Sequence, residues 1–289
     1  MNQPPDPGTG RPFIPSRSAK TPPSDTSVSK VFSERSSRYY EDNYAENATD
    51  PNSFLKQRRK ELILALAGNR HELALELGCG PAVLTEELAG LGKSIVALDI
   101  SLDMVLTGRK RINGGAQDIF FCAGRCQGLP FRPESFGQII AAGVLEYLPD
   151  LEEGLRELDR VLKPGGKVIA SFPVHRIWYE KLAKAAAPCL PFIRILLGSS
   201  KGRSTSNPRL KENFPHFRFR PMRLLRQLRK AGWEVEVTNY HHFLLFPLDV
   251  MSPKLTRILD RHFDRKLPGF LRPYLAKSVV VLLRKKRPA

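Results

Sequence analysis

The sequence predicts an α/β domain, doubly wound around a mostly parallel seven-stranded sheet, with an insertion that forms a lid in its C-terminal part. Three observations carry this expectation. From about residue 70, short apolar runs alternate with segments of helical period, the mark of βαβ units. The first apolar run ends in the tight turn Gly78-Cys79-Gly80, and the second closes on a single carboxylate, Asp99.

The strands follow from the apolar runs: Leu73–Leu77, Ser94–Asp99, Ile119–Ala123, Gln138–Ala142, Lys167–Phe172, Trp233–Val237 and Ser278–Leu283. Between them, helices are expected over Pro81–Leu91, where the proline suits a first turn, and over Leu102–Arg111. Asp150 is placed to cap a helix in which Leu151, Leu155, Leu158 and Leu162 recur at helical spacing. Lys163-Pro164-Gly165-Gly166 stops that helix, and Pro221–Ala231 reads as a further amphipathic helix stopped by Gly232.

Outside this frame the chain divides by composition. Residues 1–30 hold seven prolines among Ser, Thr, Gly and Lys, too little apolar surface to offset ordering, so they read as a disordered tail. Residues 31–70 carry Tyr39, Tyr40 and Tyr44 ahead of an amphipathic helix over Phe54–Leu64. Residues 71–173 form the core, 174–220 a lid or acceptor insertion, and 221–289 complete the sheet around a second insertion at 240–276. Connections of this length in a compact domain are usually functional.

The 289 residues have a net charge of +17 that is unevenly spread. Residues 1–173 are nearly balanced, with 21 basic and 22 acidic side chains, whereas residues 174–289 hold 25 basic and 7 acidic ones. Such asymmetry points to an anionic partner: a phospholipid surface, nucleic acid or a phosphorylated substrate, with a solvated basic face as the plain alternative. The chain lacks an eighteen-residue apolar run and a signal-peptide core, so a cytoplasmic protein is expected, with peripheral membrane contact through the basic C-terminal region. Cys79, Cys122, Cys126 and Cys189 are too irregular for a disulfide framework, and Cys122 with Cys126 lacks a second pair for zinc, so no metal is expected.

The glycine turn frees the backbone for close approach of a ligand, and the helix after it turns its positive end toward an anionic group. Taken alone, Gly78-Cys79-Gly80 with Asp99 nineteen residues on also fits dinucleotide binding. Five ordered motifs over residues 60–173 decide otherwise: Glu76-Leu77-Gly78-Cys79-Gly80; Leu98-Asp99-Ile100-Ser101 with Met104; Leu129-Pro130-Phe131; Leu145-Glu146-Tyr147-Leu148-Pro149; and Leu162-Lys163-Pro164-Gly165-Gly166. In order and spacing the set resembles the class I S-adenosylmethionine-dependent methyltransferases, closest to their small-molecule branch (methyltransferase type 11-like domains) and their Rossmann-like fold.

The resemblance implies S-adenosyl-L-methionine as cofactor. Glu76, with the backbone of Gly78, Cys79 and Gly80, would contact its methionine half, and Gly143 lies in the motif beside it. Asp99 would hold the ribose hydroxyls, while Ile100 and Met104 pack against adenine. In Gly124-Arg125-Cys126 the family usually has an acid that accepts from the adenine amino group. Arg125 is donor-only, which leaves the Cys126 N–H to reach the ring. Ala82 stands for a usual third glycine, and Gly137 for a common aspartate.

Methyl transfer from a sulfonium is an in-line displacement, and proximity alone contributes up to ~7–11 kcal/mol. Candidate groups at the acceptor are Glu146 and Tyr147 after strand four and His175 after strand five. Each has a structural alternative: a helix-cap carboxylate, a packed tyrosine, a surface histidine. The Asn/Asp-Pro-Pro-aromatic tetrad of base-nitrogen methyltransferases is absent, since residues 143–147 read Gly-Val-Leu-Glu-Tyr. A small or lipid-linked acceptor therefore ranks first. An RNA methyltransferase, suggested by arginines among Phe214, Phe217 and Phe219, ranks second, and a non-catalytic binding module third. Oligomeric state carries no sequence signal.

Overall fold

A computed structural model describes residues 24–44, 51–69, 72–112, 118–175, 188, 216–243 and 253–285. It contains one seven-stranded sheet. The strands are β1 (Leu73–Leu77), β2 (Ser94–Asp99), β3 (Ile119–Ala123), β4 (Phe136–Ala141), β5 (Leu162–Pro173), β6 (Trp233–Phe243) and β7 (Ala276–Lys285). Their spatial order is β3-β2-β1-β4-β5-β7-β6. The first five pair in parallel, and β7 runs antiparallel between β5 and β6. The doubly wound, mostly parallel sheet is as the sequence predicts. The lid at 176–187 and 189–215 lies outside the described residues.

Strand residues alternate between two cores, as a pleat buried on both faces requires. Leu75, Leu77, Val168, Ala170, Phe172, Val279 and Val281 face one side. There they meet helix α6 (Leu151–Val161) through Leu151, Leu155 and Leu158, and α7 (Pro221–Lys230) through Leu224, Leu225 and Leu228. Ala74, Ile95, Ala97, Ile140, Ile169 and Val280 face the other, against Ile63 and Ala67 of α3 (Pro51–Ala67) and Leu84 and Leu88 of α4 (Val83–Gly90). The remaining helices are α1 (Asp25–Arg35), α2 (Tyr39–Tyr44), α5 (Leu102–Ile112), α8 (Pro253–Lys266) and α9 (Arg272–Leu275).

Several boundaries differ from expectation. The tail assigned to residues 1–30 gives way to α1 at Asp25: Ser24 accepts from the Ser27 N–H at 3.2 Å and Asp25 complements the helix's positive end. Helix α4 starts at Val83 rather than Pro81, because Ala82 is left-handed (φ 60°). That conformation costs an L-residue about 1–2 kcal/mol, which explains why a glycine suits the position. β6 extends to Phe243, six residues past its predicted end.

Asp150 caps α6 as expected, its Oδ1 accepting from the N–H groups of Glu152 (2.8 Å) and Glu153 (3.2 Å). Asp150→Ala should cost about 1 kcal/mol. In a chain of this size that lowers Tm by about 2–4 °C, readable by calorimetry.

Candidate active site

Parallel strands end on one rim of the sheet, where open α/β folds bind ligands. β1 brings Glu76 to that rim and β2 brings Asp99 beside it. Both carboxylates are buried. The Asp99 carboxylate is a brace for the two loops around it: Oδ2 accepts from the Gly80 N–H and Oδ1 from the Ser101 N–H, both at 2.9 Å. Burial raises its carboxyl above the usual range, and those amide bonds oppose the shift. Glu76 accepts from the Thr85 hydroxyl at 2.6 Å. Burial pushes it up to about 8, with Thr85 opposing and Asp99 adding to the shift.

The glycine turn works differently from expectation. The N–H groups of Gly78 (2.7 Å) and Cys79 (3.1 Å) both donate to the Leu98 carbonyl, and Gly80 donates to Asp99. These amides are committed to holding β1 against β2, so they are not free donors for a ligand. Gly78 (φ 65°) is required because a side chain would overlap Val144 of the loop after β4. Gly80 faces open space instead. The cradle it leaves beside two carboxylates fits a ligand that brings an ammonium and a diol.

The loop after β2 is covered by α1, which the sequence reading left without a role. Ser29 Oγ donates to the Ile100 carbonyl (3.3 Å), and the Ser33 and Ser101 hydroxyls lie 2.9 Å apart. Ser101 Oγ also accepts from the N–H of buried Met104 at 3.2 Å. Arg125 forms an ion pair with Asp25 at 2.7 Å. The arginine that replaces the usual acid thus ties the first turn of α1 to the loop after β3. Cys126 packs in the core, and burial pushes its thiol up to about 12, so it is an inert thiol there.

A second cluster, half-buried around the buried Glu146, stands at the end of β4. Gly143 (φ 77°) admits the Arg59 guanidinium of α3 so closely that a Cβ would strike its Nη1. Arg59 is hydrogen-bonded to Tyr44 of α2 and lies in the field of Glu146 and Tyr39. These partners hold it charged although burial opposes the charge. Burial pushes the Glu146 carboxyl up to about 7, with Arg59 opposing. Its Oε2 is buried without a hydrogen-bond partner among the described residues. Tyr147 is driven well above the ordinary tyrosine range by burial. Its ring meets Phe32 of α1 edge-on at 5.6 Å and His216 at 6.1 Å.

Of the three acceptor-side candidates, the structure joins Glu146 and Tyr147 in this cluster. His175 leaves β5 with its amide donating to the Phe219 carbonyl (2.8 Å), next to the bond from the Phe217 N–H to the Glu146 carbonyl. His241 is buried, and burial with the charges of Arg59 and Arg58 pushes its imidazole down to about 3. It is a neutral ring near the cluster. Arg59 was missed because Lys56-Gln57-Arg58-Arg59-Lys60 has the composition of a solvated helix face. The only sequence hint was the group of tyrosines just before it.

A family described as a methyltransferase domain matches residues 75–170. Demethylmenaquinone methyltransferase of Mycobacterium sp. (strain KMS) is 36% identical over 134 residues, 44% of this chain and 56% of that protein. The protein of the same name from Clavibacter sepedonicus is 32% identical over 169 residues, 56% of this chain and 67% of that one. The chain thus spans little more than half the length of the first of these relatives. Among solved structures, a magnesium protoporphyrin IX methyltransferase of Synechocystis PCC 6803 with bound SAH superposes with a TM-score of 0.56. It is 15% identical, and the match covers 91% of this chain and all of that one. The shared fold and the matched core agree with the placement of Glu76 and Asp99 on one rim: the chain belongs to the class I S-adenosylmethionine-dependent methyltransferases.

Proposed function

We propose that the protein transfers a methyl group from S-adenosylmethionine to a small or lipid-linked acceptor. The observation that carries this reading is the placement of two sites side by side on the sheet rim, one built around two buried carboxylates and the other around a buried carboxyl. Glu76, the open face of Gly80 and Asp99 form one, and Arg59, Glu146 and Tyr147 the other. Glu76 would hold the ammonium of the methionine half, and Asp99, braced by two amides, the ribose hydroxyls. Ile100 and Met104 would line the adenine. When bound, the cofactor supplies a methyl carbon on a sulfonium, already activated for displacement.

The chain's own contribution is position, dryness and a proton site. Glu146 Oε2 is a buried acceptor without a hydrogen-bond partner among the described residues, and burial pushes its carboxyl up to about 7. A group near the working pH is suited to take a proton from a hydroxyl or enol as that atom becomes a nucleophile. Arg59 stabilises the carboxylate before the proton arrives and any negative charge on the acceptor. Burial strengthens both interactions relative to water.

Methyl-labelled S-adenosylmethionine, incubated with the protein and fractionated extracts, tests the reading. Label is expected in lipid or small-molecule fractions, reduced at least about tenfold, ~1.4 kcal/mol of barrier, in Glu146→Gln. Label confined to RNA would transfer the assignment to the nucleic-acid class. Cofactor binding without label in any fraction would favour a binding module.

A further inference from the structure

We infer that the basic, apolar edge formed by α7, α9 and the turn before α9 docks on an anionic lipid bilayer. The topology places α9 and the first turn of α7 at the rim that carries the active site. β7 begins where β5 ends, with Ser278 opposite Pro173, so α9 immediately before β7 stands at the carboxyl end of the sheet. Phe219, just before α7, bridges to Val174 beyond β5, so α7 also starts at that rim. α7 and α9 pack against each other.

The surface they present has two chemistries. Leu224, Leu225 and Leu228 turn α7 inward, which leaves Arg223, Arg226, Arg229 and Lys230 outward. From residue 216 to 230 the chain has no acidic residue. Alongside, Phe270 is 72% exposed and Tyr274 60%, and Leu271, Leu275 and Met222 are exposed as well. These are not loose side chains on a frayed loop. Arg272 Nε donates to the Leu267 carbonyl (3.1 Å) and its Nη2 to the Asp264 carbonyl (2.8 Å), which clamps the turn that displays Phe270.

Exposed aromatic and aliphatic groups beside a one-signed basic helix match the layered character of a bilayer interface: apolar just below, anionic at the headgroups. Each basic residue near such a surface adds about fivefold to partitioning at low salt. Among the described residues no helix is long and apolar enough to cross a membrane, so contact there would be from one side. With the edge docked, the mouth of the active site meets the bilayer. That orientation rests on the methyl-transfer reading, and the surface itself does not.

Sedimentation of the full chain with phosphatidylcholine vesicles, with and without roughly a third phosphatidylglycerol, tests the surface apart from any turnover. Partitioning is expected to be at least about tenfold stronger on the anionic vesicles and to weaken with added salt. Arg223→Glu with Arg226→Glu should remove most of this preference. Phe270→Ser with Tyr274→Ser should weaken binding at high salt, where charge is screened. Both variants should keep the wild-type Tm and S-adenosylmethionine affinity, which separates failed docking from a failed fold or a failed cofactor site. Equal, weak binding to the two vesicles would overturn the proposal, as would charge-reversed protein that binds like wild type. So would salt-sensitive binding to single-stranded RNA that exceeds binding to anionic vesicles.

Discussion

Asp99→Ala is expected to weaken S-adenosylmethionine binding by ~1.5–3 kcal/mol, or about 10- to 150-fold in Kd, the range for hydrogen bonds to a charged group. Two effects act in the same direction. The substitution removes the acceptor at the end of β2, and it frees the Gly80 and Ser101 N–H groups that the carboxylate holds at 2.9 Å. The glycine turn and the loop that carries α1 would then lose their common brace. Asp99→Asn separates the two contributions, since one carbonyl oxygen remains to accept an amide. It should bind the cofactor with affinity between wild type and alanine. Calorimetric titration on all three proteins, with circular dichroism to confirm the fold, decides the matter. Unchanged affinity in Asp99→Ala would remove Asp99 from the cofactor site.

The largest pH effect should come from Glu76. Its carboxyl, pushed up to about 8 by burial, is mostly protonated at neutral pH in the free protein. An ammonium beside it favours the carboxylate, so binding must release a proton below pH 8. Cofactor affinity should therefore rise about tenfold per pH unit toward pH ~8 and fall above it, where the ligand's own α-amino group, ordinarily about 8, loses its proton. The same shift affects stability with the opposite trend. A carboxyl whose folded pKa lies above its unfolded value stabilises most below the unfolded pKa of about 4.5. That contribution is lost as pH rises through about 8. Glu76→Gln should flatten both profiles, weaken binding at pH 9, and leave the free protein more stable there. Titrations in buffers of different ionisation enthalpy count the proton directly. A pH-independent affinity with no proton released would exclude Glu76 from the ammonium site.

Much of the frame around Glu76 and Asp99 was legible in the sequence, because it is local. A strand that ends in Gly-Cys-Gly, a second that ends in aspartate, and a capped helix after Asp150 are each set by neighbours along the chain. The parallel pairing of β1, β2 and β3 follows from their alternation with α4 and α5. What escaped depends on contacts between distant segments. Local composition hides the burial of Arg59, because only the fold brings Gly143 against it. The commitment of the Gly78 and Cys79 amides is decided by the Leu98 carbonyl on the adjacent strand. α1 was lost within a proline-rich stretch whose last seven residues, Ser24 to Lys30, differ from those before them in holding no proline and in setting an acid directly after a cap.

The attachment of α1 has a dynamic consequence. Among the described residues, one hydroxyl–carbonyl bond, one hydroxyl pair, an ion pair whose arginine is 60% exposed and the edge-on contact of Phe32 with Tyr147 hold it over Ile100 and Ser101, with Val28 its one buried side chain. Neutral hydrogen bonds contribute about 1 kcal/mol each and exposed ion pairs less. The helix can therefore lift at a small fraction of the free energy that unfolds the sheet, as a separate cooperative unit. On the proposed cofactor placement, α1 would be the part that swings from Ile100, while Glu76 and Asp99 are held within the sheet.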